Sequence, residues 1–119
     1  MGATGNHVLI IEDEALAALD LEAQLADLGF TSFDVAVCER DALAFARERR
    51  PDLITADYRI VGGTGLAAFT AIVAELGKIP VVYVTGNPAQ VAGLGAPVVE
   101  KPIFPAVLAR ACSSACGTA

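Results

Sequence analysis

Three observations predict an α/β fold built on a doubly wound, five-stranded parallel sheet. Apolar runs alternate with amphipathic stretches from residue 7 to residue 116. The strongest runs show no polar alternation, the pattern of strands buried on both faces of a parallel sheet. Most steps from one run to the next span roughly 20 to 30 residues, the length a right-handed βαβ unit needs.

The elements follow in order. Val8–Ile11 is a continuous apolar run, and His7–Ile11 reads as the first strand. Residues 15–28 read as a helix stopped by Gly29. Ala17, Leu21, Leu25 and Leu28 form the stripe expected to face the sheet, at 100° per residue. Leu16, Leu19, Ala23 and Ala26 fall on the opposite side and are themselves apolar. That second stripe is either a broad helix with scattered exposed side chains, or a docking surface for another helix or a second copy of the chain.

Residues 32–37 form a weaker second strand, and residues 40–50 a helix closed by Pro51. Leu53–Ala56 is the third strand. Gly65–Leu76 is a helix ended by Gly77, and residues 79–84 are the fourth strand. Fifteen residues separate Thr85 from Lys101, with three Gly and two Pro among them. Only residues 89–92 leave room for helix, so the fourth helix is expected to be short or absent and the connection mobile. Val98–Glu100 is a short fifth strand, and Pro105–Cys116 the last helix.

Length and composition narrow the function classes. The 119 residues suit one domain (1–119, core about 7–116), and 55% hydrophobic content supplies a core without any Trp. A net charge of −6 argues against a nucleic-acid surface, which draws on clustered Lys and Arg. Arg47, Arg49 and Arg50 do cluster, and read as a solvated helix end that complements the dipole. No apolar run approaches the ~20 residues of a membrane span. Residues 1–6 read as a loose start and not as a signal peptide. Cys38, Cys112 and Cys116 lack zinc-type spacing and fit a reduced, cytoplasmic setting.

The chemistry gathers where strands end. Glu12 and Asp13 close the first strand, Asp57 the third, Thr85 the fourth, and Lys101 the fifth. Open α/β sheets place their sites at these carboxyl ends, and adjacent strand ends lie about 5 Å apart. Three carboxylates brought so close repel one another unless a cation intervenes. Mg²⁺ fits, being hard, oxygen-seeking and tolerant of retained waters and phosphate oxygens. Asp57 is then a candidate nucleophile forming an acyl phosphate. Mg²⁺ and Lys101 would neutralise the transferring group, and Thr85 would offer a hydroxyl.

These positions resemble the receiver domain of bacterial two-component response regulators, with a flavodoxin-like fold. The pieces are Ile10-Ile11-Glu12-Asp13-Glu14, Pro51-Asp52-Leu53-Ile54-Thr55-Ala56-Asp57, Gly65-Leu66, Val84-Thr85-Gly86 and Lys101-Pro102. The resemblance implies Asp57 as phospho-acceptor and Glu12 and Asp13 as the acidic pair, with Glu12, Asp13, Asp57 and the Arg59 carbonyl as the residues on Mg²⁺. It implies Thr85 as the switch hydroxyl and a cis bond between Lys101 and Pro102. Arg59 and Asn87 fall at the positions that tune phosphate loss. The implied partner is a sensor histidine kinase or a histidine phosphotransfer protein, docking over Leu16, Leu19 and Ala23. The implied domain is not an enzyme, except that it promotes its own phosphorylation and dephosphorylation.

Departures accompany the matches. Val98 stands where the family usually has an inward-swinging aromatic, Val61 where it usually has Pro, and Ile103 then Phe104 after Lys-Pro. With the reduced fourth helix, the Val-Thr-Gly run resembles an atypical subgroup common in alphaproteobacteria, which has a Phe-Ala-Thr-Gly-type fourth strand. The phosphate signal is therefore expected to leave through residues 85–97. The chain ends soon after its last helix, so a stand-alone receiver with a protein output is expected.

Three rival readings compete with this one. Gly63-Thr64-Gly65-Leu66-Ala67-Ala68 matches a dinucleotide fingerprint. It follows the wrong strand, and Asp57 would repel a pyrophosphate. An aspartyl phosphatase needs a general acid two residues after its nucleophile, where this chain has Arg59. A phosphate-independent docking or dimerising receiver remains the alternative.

Overall fold

The structure, a computed structural model, describes residues 6–117. Residues 1–5 of the loose start expected at 1–6, and residues 118–119, lie outside them. Chain order runs β1 His7–Ile11, α1 Ala15–Asp27, β2 Ser32–Ala36, α2 Glu39–Glu48, β3 Leu53–Ala56, β4 Arg59–Ile60, β5 Gly63–Thr64, α3 Gly65–Leu76, β6 Val81–Thr85, a 3₁₀ turn at Pro88–Gln90, β7 Val98–Glu100 and α4 Pro105–Cys116. The main sheet is parallel with order β2-β1-β3-β6-β7. The doubly wound topology predicted from the alternation is therefore present.

Each central strand divides its side chains between two cores. Leu9, Ile11, Ile54 and Ala56 face α2 and α3, packed with Ala42, Ala46, Ala68 and Ile72. Val8, Ile10, Leu53 and Val84 face α1 and α4, packed with Leu21, Leu25, Leu108 and Cys112. Every residue of β1, β3 and β6 is buried, which is why these runs carry no polar alternation. Each fully buried aliphatic side chain contributes roughly 1.5–3 kcal/mol, and this layered burial holds the strand ends in register.

Local chemistry sets the helix ends. Thr64 Oγ1 accepts the Ala67 N–H at 3.0 Å and caps α3, and Gly77 ends that helix at φ 87°. Pro105 opens α4, where its missing N–H costs nothing, and Gly117 closes it in the left-handed region at φ 73°.

Four expectations change. The buried stripe of α1 is Ala18, Leu21 and Leu25. Leu28 lies beyond the helix at its C-cap and is exposed, because α1 stops one residue earlier than its apolar pattern. The helix expected at 40–50 begins at Glu39 and ends at Glu48, so Arg49 and Arg50 lie beyond it. Arg50 instead donates to the Leu76 and Lys78 carbonyls at the end of α3, and Arg47 forms a bidentate pair with Glu75 at 2.6 and 2.7 Å. The basic cluster therefore ties α2 to α3 and is not merely solvated. Finally, the turn expected at 89–92 is the 3₁₀ turn, and β4 pairs with β5 in an antiparallel hairpin the pattern did not show.

Candidate functional site

The sheet's carboxyl edge brings together residues far apart in sequence. Asp57 follows β3 directly, and its N–H donates to the Ile11 carbonyl at 3.0 Å. One carboxylate oxygen, Oδ1, accepts the Tyr58 N–H at 2.7 Å. The other, Oδ2, accepts from Lys101 Nζ at 2.9 Å. Lys101 follows β7 and donates its backbone N–H to the Thr85 carbonyl at 3.0 Å. The Lys101–Pro102 bond is cis, as the resemblance implied.

Lys101 Nζ also donates to Glu12 Oε1 at 2.6 Å. Glu12 is buried (3% exposed) at the end of β1, and its Oε2 accepts the Glu14 N–H at 3.1 Å. Burial pushes the Glu12 carboxyl above its ordinary range, helped by the Asp57 charge, and outweighs the Lys101 and Glu14 hydrogen bonds that pull it down. Burial acts on Lys101 in the opposite sense, lowering it. There the Glu12 and Asp57 hydrogen bonds prevail and hold the ammonium above its ordinary value. Both groups thus shift upward, Glu12 because burial prevails there and Lys101 because its two acceptors prevail.

The sequence set three carboxylates together and asked for a cation. Lys101 is that cation between Glu12 and Asp57. Among the described residues, no three acids, histidines or cysteines converge on one metal-sized point. Asp13 and Arg59 are exposed and Asp57 is half-buried, so the candidate donors are two carboxylates and one backbone carbonyl. This all-oxygen donor set, few in number and open to water, fits Mg²⁺ chemically and does not suit a soft metal.

Thr85 is fully buried, and its Oγ1 accepts the Asn87 N–H at 3.0 Å. The hydroxyl is thereby turned toward the loop that carries Asn87. Val98 pairs with Tyr83 across β7 and β6. Tyr83 is 2% exposed and meets Phe69 edge-on, with ring centroids 6.5 Å apart. An aromatic side chain therefore stands in the core of the neighbouring strand, whereas the usual aromatic position on β7 holds valine.

Glycine is required beside Asp57. A Cβ at Gly65 would lie 1.9 Å from the Asp57 carbonyl oxygen, and the Gly65 N–H donates to the Tyr58 carbonyl at 2.8 Å. Gly65 of the dinucleotide-like run thus serves close backbone approach. Leu16 and Leu19 are 80% and 63% exposed, and Ala23 and Ala26 are exposed with them. A groove of about 230 Å³ beside Glu12 and Asp13 continues this apolar surface between α1 and β2, over Leu19, Val35 and Val37. Sequence reasoning missed Val35, in the weak edge strand β2, and Val37, just after it. It also missed Glu39, whose contact with Thr64 no spacing announces.

A doubly wound parallel sheet carrying acids, a hydroxyl and a lysine along its carboxyl edge defines a receiver of flavodoxin-like fold. The chain belongs to the response regulator receiver domain family of two-component signalling, whose sequence profile matches residues 8–110. It is 35% identical over 115 residues to the phyllosphere-induced regulator PhyR of Methylorubrum extorquens, covering 92% of this chain and 43% of that protein. It is 32% identical over 112 residues to the transcriptional regulatory protein PrrA of Mycobacterium tuberculosis, covering 92% and 48%. The chain thus spans less than half the length of these relatives.

Solved structures agree. The receiver domain of PhyR from Erythrobacter litoralis superposes with TM-score 0.82 at 27% identity, covering 93% of this chain and 89% of that one. The anti-anti-sigma factor PhyR of Bartonella quintana gives 0.82 at 29% identity, covering 95% and 48%. The receiver domain of a Pseudomonas aeruginosa sensor histidine kinase gives 0.81 at 25% identity, covering 97% and 100%, and that structure holds a magnesium ion in its active-site cleft. The PhyR receivers among these neighbours accord with the alphaproteobacterial subgroup that the Val-Thr-Gly run suggested.

Proposed function

We propose that residues 1–119 form one receiver domain that accepts a phosphoryl group on Asp57 from a phosphohistidine of a sensor kinase or phosphotransfer protein. The observation that carries this reading is the division of labour at Asp57. Tyr58 N–H fixes one carboxylate oxygen, while the other faces the Lys101 ammonium. An Asp57 oxygen attacks phosphorus, the P–N bond breaks, and the leaving imidazole takes up a proton. Lys101 stays beside the oxygens on which charge develops. Asp13, Asp57 and the Arg59 carbonyl would hold Mg²⁺, and Glu12 adds charge while both its oxygens remain engaged. Bound there, the ion supplies charge neutralisation for the transferring group.

Thr85 would release the Asn87 amide and turn to the acyl phosphate. Arg59, exposed beside Asp57, slows attack by water on that phosphate, and Asn87 tunes the same step through its bond to Thr85. Leu16, Leu19 and Ala23 form the docking surface for the phosphodonor. The setting is the cytoplasm, where such donors reside. Among the described residues, no helix is long and apolar enough to cross a membrane. The domain would catalyse nothing beyond its own phosphorylation and dephosphorylation.

The exposed Leu16 and Leu19 favour one second reading, a module that docks or dimerises without phosphate. Beryllofluoride with Mg²⁺ separates the two. A phospho-switch shifts the NMR signals of Thr85 and Asp57, whereas a pure docking module leaves them where they are.

A further inference from the structure

We propose that Glu39 is a positioning residue of this site: its carboxylate braces the β4–β5 hairpin that presents Arg59 beside Asp57. The use of the hairpin rests on the receiver reading above, and the brace itself does not. A hairpin with two residues per strand is not stable alone, so its anchors decide where Arg59 lies.

Glu39 is the first residue of α2, and its Oε2 accepts the Thr64 N–H at 3.1 Å. Thr64 lies directly opposite Arg59 in the hairpin. Gly63, opposite Ile60, leaves space that the same carboxylate fills. A Cβ there would stand 1.9 Å from Glu39 Oε2 and 2.7 Å from its carboxyl carbon. Glycine at 63 and glutamate at 39 are therefore one fit. The β2–α2 corner adds a second hold: Val61 N–H donates to the Val37 carbonyl at 3.2 Å, and Cys38 bridges Val61. The hairpin that would supply the Arg59 carbonyl and guanidinium is thus gripped from α2 and the edge strand. Thr85 and the 3₁₀ turn lie on other elements. A carboxylate accepting a backbone N–H is a strong, charge-assisted bond.

Glu39 also sits in the first turn of α2, where any acid complements the helix dipole. Asp41 shares that turn and, unlike Glu39, makes no bond to the hairpin, so it separates the two roles. The experiment compares wild type, Glu39→Ala, Glu39→Gln, Gly63→Ala and Asp41→Asn. It reads amide hydrogen exchange at Thr64 without metal, and Mg²⁺ affinity from amide shifts.

Glu39→Ala should speed Thr64 exchange and weaken Mg²⁺ binding, each by roughly tenfold. Gly63→Ala, which drives the carboxylate out, should do the same even where Glu39→Ala folds poorly. Glu39→Gln keeps an acceptor oxygen and should recover most of both. Asp41→Asn should change neither. Unaltered exchange in Glu39→Ala and Gly63→Ala, or an equal effect of Asp41→Asn, overturns the proposal. A wild type that binds no Mg²⁺ defeats the receiver chemistry instead, and Thr64 exchange still decides the brace.

Discussion

The Lys101 ammonium lies 2.9 Å from the Asp57 carboxylate and reaches it from the edge strand β7, two strands from β3 and 44 residues along the chain. It meets Glu12 as well, at 2.6 Å. One flexible cation thus relieves the crowding of two strand-end acids and stays on the carboxylate that would carry phosphate.

Removing that cation leaves Glu12 buried and unpaired beside Asp57. Lys101→Met should destabilise the metal-free domain by about 2 kcal/mol, less than a fully buried pair because the lysine side chain is partly exposed. Mg²⁺ should restore part of the loss. Urea unfolding with and without Mg²⁺ measures both, and equal midpoints for variant and wild type would refute the assignment.

Gly65 leaves no room for a methyl group against the Asp57 carbonyl. Gly65→Ala must push that backbone aside and should cost about 1–3 kcal/mol, as overpacking does. The Asp57 and Tyr58 amide resonances should move with it. An unshifted spectrum at wild-type stability would show that the approach is looser than described.

Leu19 is exposed and touches the groove beside the acids. Leu19→Asp should leave the melting temperature within about 2–3 °C, since surface changes are usually worth less than ~0.5 kcal/mol. The same substitution should slow phosphotransfer from a protein donor and spare labelling by a small phosphodonor. Equal slowing with both donors would place the defect in the chemistry and not in docking.

Cys112 is buried in the α1–α4 core, which pushes its thiol from the ordinary 9.0 up to about 12, with a smaller push from Cys116. A raised folded-state value means that the stabilising effect is complete below 9.0 and is lost as pH climbs toward 12. The wild type should lose stability across that window faster than Cys112→Ala, as followed by alkaline denaturation. Parallel curves for the two proteins would contradict the shift.

Much of this was legible because parallel strands buried on both faces write themselves as unbroken apolar runs. His7–Ile11 and Leu53–Ala56 match their strands residue for residue, and each points to the acid that follows it. Asp57, Glu12 and Lys101 could be brought together because each follows a strand, and open α/β sheets gather their chemistry at the carboxyl ends of strands. Other features had no such signature. The β4–β5 hairpin is too short to show a period, and its hold on Glu39 is a single long-range bond. Leu28 continued an apolar stripe that the backbone had already left. The place of Lys101, between two acids and not merely near one, depends on side-chain reach that spacing does not encode.

Asp57 is the residue on which the proposed phosphotransfer depends. Incubated with a phosphohistidine donor and Mg²⁺, the intact domain should gain one phosphoryl group by mass. The label should be labile to hydroxylamine and map to Asp57, and Asp57→Asn should remain unlabelled. Labelling that persists in Asp57→Asn, or a wild type that stays unmodified with both protein and small-molecule donors, would contradict it.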